Sequence, residues 1–386
     1  MIKMKLKRIL AWVCVLCLIS GCSQPGINKA NTEHSKDKAD VALEIMKGMS
    51  LEQMVYQMMF ITPEALTGIG TVIQAGDTTK NALANYPVGG LIYFAPSFKN
   101  REQTKEMLAN TQSFSEIPLF ISVDEEGGRV ARLGNNPEMG VTQHPPMREI
   151  GDSGDTESAY KVGETLGKEL SELGFNVDFA PDADVIINEN NSEIGDRSFG
   201  TDPQIVADMT AQVVRGMQKN NVSATIKHFP GHGSTSVDSH TGYSASNRSI
   251  DELRENEWLP FKAGIDAKAD FVMVSHMTLT EATKEKLPSS LSKEVITDML
   301  KGELGYKGIV ITDSFSMGAI IDGYSAGEAA VKAVSAGADM ILMSADFKAA
   351  HTAIVQAVIN GELTRERIEE SVYKILSLKV NKGLLK

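Results

Sequence analysis

Eight short apolar segments recur along this chain, most of them separated by enough residues for a helix. They are Val55–Ile61, Gly90–Phe94, Leu119–Val123, Val177–Ala180, Ala224–His228, Phe271–Ser275, Gly308–Thr312 and Met340–Met343. Between them, Glu157–Gly174, Pro203–Asn220, Glu252–Ala267 and Ser325–Gly337 carry helical spacing. Alternation of this kind implies βα units, because parallel strands need long crossovers. Eight units in a 386-residue chain suit an α/β fold, a single (β/α)8 barrel of the TIM type with irregular early strands. A doubly wound open sheet is the structural alternative.

Polar groups follow nearly every predicted strand. Asp124-Glu125-Glu126 come after the third, Pro181-Asp182 after the fourth and His228 through His240 after the fifth. His276 follows the sixth and Asp313-Ser314 the seventh. In a barrel these loops meet on one rim, where such folds carry their active sites. An enzyme is the expectation.

The stretch Lys227–His240, KHFPGHGSTSVDSH, holds three histidines, a lysine and an aspartate. Pro230, Gly231 and Gly233 exclude a helix there. Asp238 and His240 are two apart, so in an extended segment they point to one side. An aspartate accepting from one ring nitrogen raises the basicity of the other, which makes His240 a general acid/base. The competing reading is a surface pair with local loop bonds only. Asp313, ending its strand, suits a nucleophile, a metal ligand or a helix N-cap. Lys227, Arg132 and Arg197 suit donors to substrate oxygens, or salt bridges to Asp124 or Asp196.

A helical zinc motif is excluded, because Phe229-Pro230-Gly231 separates His228 from His232. A loop-built site from His228, His232, Asp238 and His240 stands as the metal alternative to a metal-free site. Gly127-Gly128 and Gly231-x-Gly233 match no phosphate-binding loop, so no nucleotide cofactor is expected. Met54, Met58 and Met59 are expected in the core. A net charge of −12 with no basic face argues against a nucleic-acid partner.

The amino terminus has its own logic. Four basic residues precede the apolar run Ile9–Ile19, which is short for a membrane span and reads as an export signal. The run ends in Ile19-Ser20-Gly21-Cys22, which resembles a lipoprotein cleavage site with Cys22 as the lipidated residue. Residues 1–21 are then a leader, 22–40 a polar tether and 41–386 the catalytic domain. All three cysteines fall in the first 22 residues, so the domain carries no disulfide. The expected location is outside the cytoplasmic membrane, anchored by lipid and facing the cell wall.

Four motifs together resemble the bacterial β-N-acetylglucosaminidases of glycoside hydrolase family 3. They are Val123-Asp-Glu-Glu-Gly-Gly-Arg129, Ile194-Gly-Asp-Arg-Ser-Phe199, Lys227-His-Phe-Pro-Gly-His-Gly233 with Asp238-Ser-His240, and Ile311-Thr-Asp-Ser314. The resemblance implies a retaining, two-step mechanism without metal or organic cofactor. It assigns Asp313 as nucleophile, His240 as acid/base and Asp238 as its partner. Asp124, Arg132, Arg197, Lys227 and His228 match positions that hold the hydroxyls of a terminal N-acetylglucosamine. The implied substrate is a peptidoglycan fragment, and a monomer is the expected state. Phosphorolysis, another family 3 β-glycosidase activity, or a silent wall-binding lipoprotein are the alternatives.

Overall fold

A computed structural model describes residues 38, 40–235, 242 and 244–385. The leader, Cys22, nearly all of the tether, Asp238 and His240 lie outside the described residues. Eight parallel strands form one sheet: β1 (Met59–Ile61), β2 (Gly90–Ile92), β3 (Phe120–Val123), β4 (Val177–Asp178), β5 (Ser223–Phe229), β6 (Phe271–Val274), β7 (Ile309–Thr312) and β8 (Ile341–Leu342). Consecutive strands pair from β1 to β7, and β1 also pairs with β8. A parallel bridge between Ile311 and Met340 closes the ring. The barrel is therefore found, and the open sheet is not.

Its interior is packed. Phe60 meets Phe179 and Phe120 meets Phe271, each pair with ring centroids 5.3 Å apart. Phe120 and Phe271 sit on β3 and β6, strands that are not neighbours, so they touch through the middle of the barrel.

Two predicted elements are corrected. The segment Val55–Ile61 is a strand only from Met59, because Leu51–Gln57 is a helix. Ser50 caps that helix and Gln53 bonds back to the Ser50 backbone, a signal that a continuous apolar run conceals. Met54, Met58 and Met59 are buried, as expected. The predicted helix Glu252–Ala267 is two helices, Ile250–Glu255 and Trp258–Asp266. Pro260 is the cause: in one continuous helix its ring would meet the carbonyl of Asn256, and Asn256 leaves helical geometry at φ −127°, ψ −81°.

The helices that follow β3 and β4, Thr156–Leu173 and Pro203–Lys219, pack through glycine. A Cβ on Gly163 would lie 2.3 Å from the Val213 carbonyl oxygen, and one on Gly216 2.3 Å from that of Tyr160. Only glycine permits backbones to approach so closely.

Candidate active site

Strand ends deliver polar side chains to one cavity. Asp124 follows β3, Lys227 and His228 lie near the end of β5, and Asp313 follows β7. Arg132 and Arg197 come from the loops after β3 and β4. All six line a cavity of about 350 Å³. Ligand pockets run from about 300 to 1,000 Å³, so this one suits a single small ring. Lys227 and His228 are adjacent, and adjacent strand residues ordinarily face opposite ways. The β5–β6 pairing shifts register between Ile226 and Phe229, a bulge that re-aims the end of the strand.

One carboxylate organises the polar wall. Glu126, fully buried, accepts from Arg197 Nε at 2.8 Å and Nη2 at 2.9 Å. It also pairs with Lys227 Nζ at 2.5 Å. Lys227 donates to Asp124 Oδ1 at 3.0 Å, and Arg132 Nη2 approaches Asp124 Oδ2 at 3.7 Å. Burial alone would raise the Glu126 carboxyl, but Arg197 and Lys227 outweigh it and hold the group far below the usual carboxylate range. Burial likewise opposes the Lys227 charge, and Asp124 with Glu126 more than offsets it, raising that ammonium. Of the salt bridges expected for these cations, those of Lys227 and Arg132 with Asp124 form. Arg197 instead takes Glu126, while Asp196 pairs with Arg129 at 2.9 Å.

Behind this wall, Asp184 ties the fifth-strand loop to the fourth. It accepts hydrogen bonds from His228 Nδ1 at 2.8 Å and from the His232 backbone N–H at 2.6 Å. His232 is buried, its Nδ1 facing Thr235 Oγ1 at 3.0 Å, and burial pushes its ring down to about 4. It shapes the loop. Burial, then the repulsion of Asp184, raises the Asp182 carboxyl, so this buried acidic pair resists full ionisation.

Asp182, Asp184 and His228 each offer a ligand atom within 4.8 Å of the others, a metal-like arrangement different from the loop-built one considered above. Arg197 Nη2 stands 3.5 Å from Asp182 Oδ2 and 3.3 Å from His228 Nε2. A guanidinium thus already supplies the positive charge that a metal would bring.

Asp313 is no helix cap. Its Oδ1 accepts the N–H of Ser314 at 2.7 Å, whereas the next helix, Gly318–Ile321, has Met317 at its N-cap with no side-chain bond. The cavity also has an apolar lining, with Ile92, Phe94, Met273, Met317, Leu342 and Met343. Met343 has φ 48°, rare for a residue with a side chain, and such strain concentrates at working sites.

Sequence reasoning passed over Glu126 and Asp184. Glu126 stands in a run already singled out as strand-end polar groups, Asp124-Glu125-Glu126, whereas Asp184 lies two positions beyond the Pro181-Asp182 pair that was. Which acid in such a run turns inward depends on local hairpin geometry: Glu125 turns to bond the backbone N–H groups of Arg132, Leu133 and Gly134 at 2.7–2.8 Å.

Comparison with known proteins finds similar chains among glycosyl hydrolases. The model of the glycosyl hydrolase family 3 N-terminal domain matches residues 50–378. The β-hexosaminidase A of Pseudoalteromonas piscicida is 33% identical over 330 residues, covering 77% of this chain and 54% of that protein. The β-hexosaminidase of Stenotrophomonas maltophilia is 35% identical over 283 residues, 71% of this chain and 81% of the relative. Among solved structures, a family 3 β-N-acetylglucosaminidase from Paenibacillus sp. str. FPU-7 superposes with a TM-score of 0.82 at 38% identity. That match covers 87% of this chain and 63% of the other. The chain thus spans about half the length of the P. piscicida protein and 63% of the Paenibacillus one.

Proposed function

Because the chain belongs to glycosyl hydrolase family 3, we propose that it is a retaining β-N-acetylglucosaminidase that removes terminal sugars from peptidoglycan fragments. The observation that carries this is the convergence of Asp313 with five hydrogen-bonding side chains on one ring-sized cavity. The names of the similar proteins point to the same N-acetylhexosamine chemistry.

In the first step an Asp313 carboxylate oxygen bonds to the anomeric carbon as the glycosidic C–O bond breaks. The departing oxygen takes a proton from His240, whose ring Asp238 holds. In the second step water attacks the anomeric carbon, gives its proton back to His240 and releases Asp313. Asp124, Arg132, Arg197, Lys227 and His228 grip the hydroxyls. Lys227 and Arg132 on Asp124, Arg197 on Glu126 and His228 on Asp184 are held in place before substrate arrives, which is where an oriented polar site gains its rate.

His240→Ala is expected to slow substrates with poor leaving groups by about 100-fold, a typical general-acid effect, and activated aryl glycosides far less. Rates across a series of aryl N-acetyl-β-glucosaminides measure this, and equal losses throughout would refute the acid assignment. Membrane fractions containing the full chain are expected to release free N-acetylglucosamine from muropeptide fragments, read by mass spectrometry. Cys22→Ser is expected to move that activity to the soluble fraction. Release of a glycosyl phosphate on adding phosphate, or no release at all, would contradict the hydrolytic reading.

A further inference from the structure

We propose that His276 is a positioning residue that aims the Asp313 carboxylate, an inference that rests on Asp313 being the nucleophile. His276 follows β6, next to β7, and is 1% exposed. Its Nε2 lies 2.8 Å from the carbonyl oxygen of Ser314. A carbonyl has no proton to give, so Nε2 carries the hydrogen. In the neutral ring Nδ1 then accepts from the Ser290 hydroxyl at 2.8 Å. Ser290 is itself fixed, buried, with its backbone N–H on the Ser275 carbonyl at 2.9 Å.

Ser314 is the lever between them. Its N–H donates to Asp313 Oδ1 at 2.7 Å, and its carbonyl accepts from His276 and, at 3.2 Å, from the Met317 N–H. Holding both peptide groups of one residue sets its φ and ψ, and hence the direction of the N–H that grips the carboxylate. The flanking backbone is anchored as well: the Asp313 N–H bonds to Val274 and the Phe315 N–H to Leu342, each at 2.9 Å. The Ser314 carbonyl shares one planar peptide group with the Phe315 N–H, so His276 and Leu342 clamp that plane from its two edges, and His276 supplies the side-chain half of the clamp.

Two substitutions separate aiming from packing. Asparagine at 276 reaches Ser290 but is too short for the Ser314 carbonyl, whereas glutamine places an amide donor near the position of Nε2. His276→Asn is expected to lower kcat about 30-fold with KM within about threefold, the scale of a misaligned nucleophile. His276→Gln is expected to recover most of that loss. The readouts are steady-state kinetics on an aryl N-acetyl-β-glucosaminide and the rate of covalent labelling by a fluorinated N-acetylglucosaminyl fluoride, followed by intact-protein mass spectrometry. Ser290→Ala, which frees the ring to turn, provides a milder variant if His276→Asn does not fold, and an about fivefold slower labelling is expected. Wild-type labelling rates in His276→Asn and Ser290→Ala, or a His276→Gln enzyme as slow as His276→Asn, would overturn the proposal. Labelling that persists in Asp313→Ala would instead overturn the nucleophile assignment itself.

Discussion

Replacing Asp313 by alanine is expected to lower turnover of an aryl N-acetyl-β-glucosaminide by about 10⁴-fold or more, because a covalent step loses its nucleophile. The half-buried side chain borders the cavity and caps no helix, so folding is expected to survive. The cationic wall is untouched, so substrate is expected still to bind, and the loss falls on kcat. A second signature accompanies it. Azide, small enough for the space left by the carboxylate, is expected to restore release of the phenol and to yield an α-glycosyl azide. Product analysis by nuclear magnetic resonance checks the configuration. Full activity in the variant would end the proposed mechanism, and a β-configured azide would end the assignment of Asp313 within it.

Glu126→Gln is expected to cost about 3–5 kcal/mol of stability at neutral pH, the scale for stranding buried charge. The substitution keeps the shape of the side chain but leaves Arg197 and Lys227, both buried, without their shared anion. The pH dependence follows with a definite sign. The folded carboxyl of Glu126 is held below its unfolded value, so its stabilisation is complete above the ordinary glutamate pKa of about 4.3 and fades as pH falls through the folded value. Urea unfolding of both proteins is therefore expected to show a wide gap at neutral pH that narrows in acid. A variant as stable as the parent at neutral pH would show that the three side chains are not coupled as drawn.

The parts of this molecule differ in how far sequence exposes them, and the differences have physical causes. A barrel strand is buried on both faces and so reads as a run of apolar residues, which is why all eight were visible within a few residues. The same logic extended the first strand back to Val55, into the end of the helix Leu51–Gln57, where a buried helical turn runs almost directly into the strand. Asp313, Lys227 and His228 were legible because chemistry at a strand end stands out against the strand before it. Glu126 was not: a run of three acids does not reveal which one faces inward until a hairpin turns it. Partner choice was also hidden. Arg197 lies 71 positions from Glu126 in sequence, and their meeting depends on how the loop after β4 folds over the one after β3.

The glycine seam between the helices Thr156–Leu173 and Pro203–Lys219 has a mechanical consequence for catalysis. These helices brace the side of the barrel from which Asp124, Glu126, Asp184 and Arg197 are delivered. Backbone locked directly against backbone has little compliance, since there are no side chains between to change rotamer and absorb displacement. The charged wall is thus mounted on the stiff flank of the molecule. In the proposed mechanism that wall grips the sugar and so acts as the anvil, and the seam keeps it from yielding.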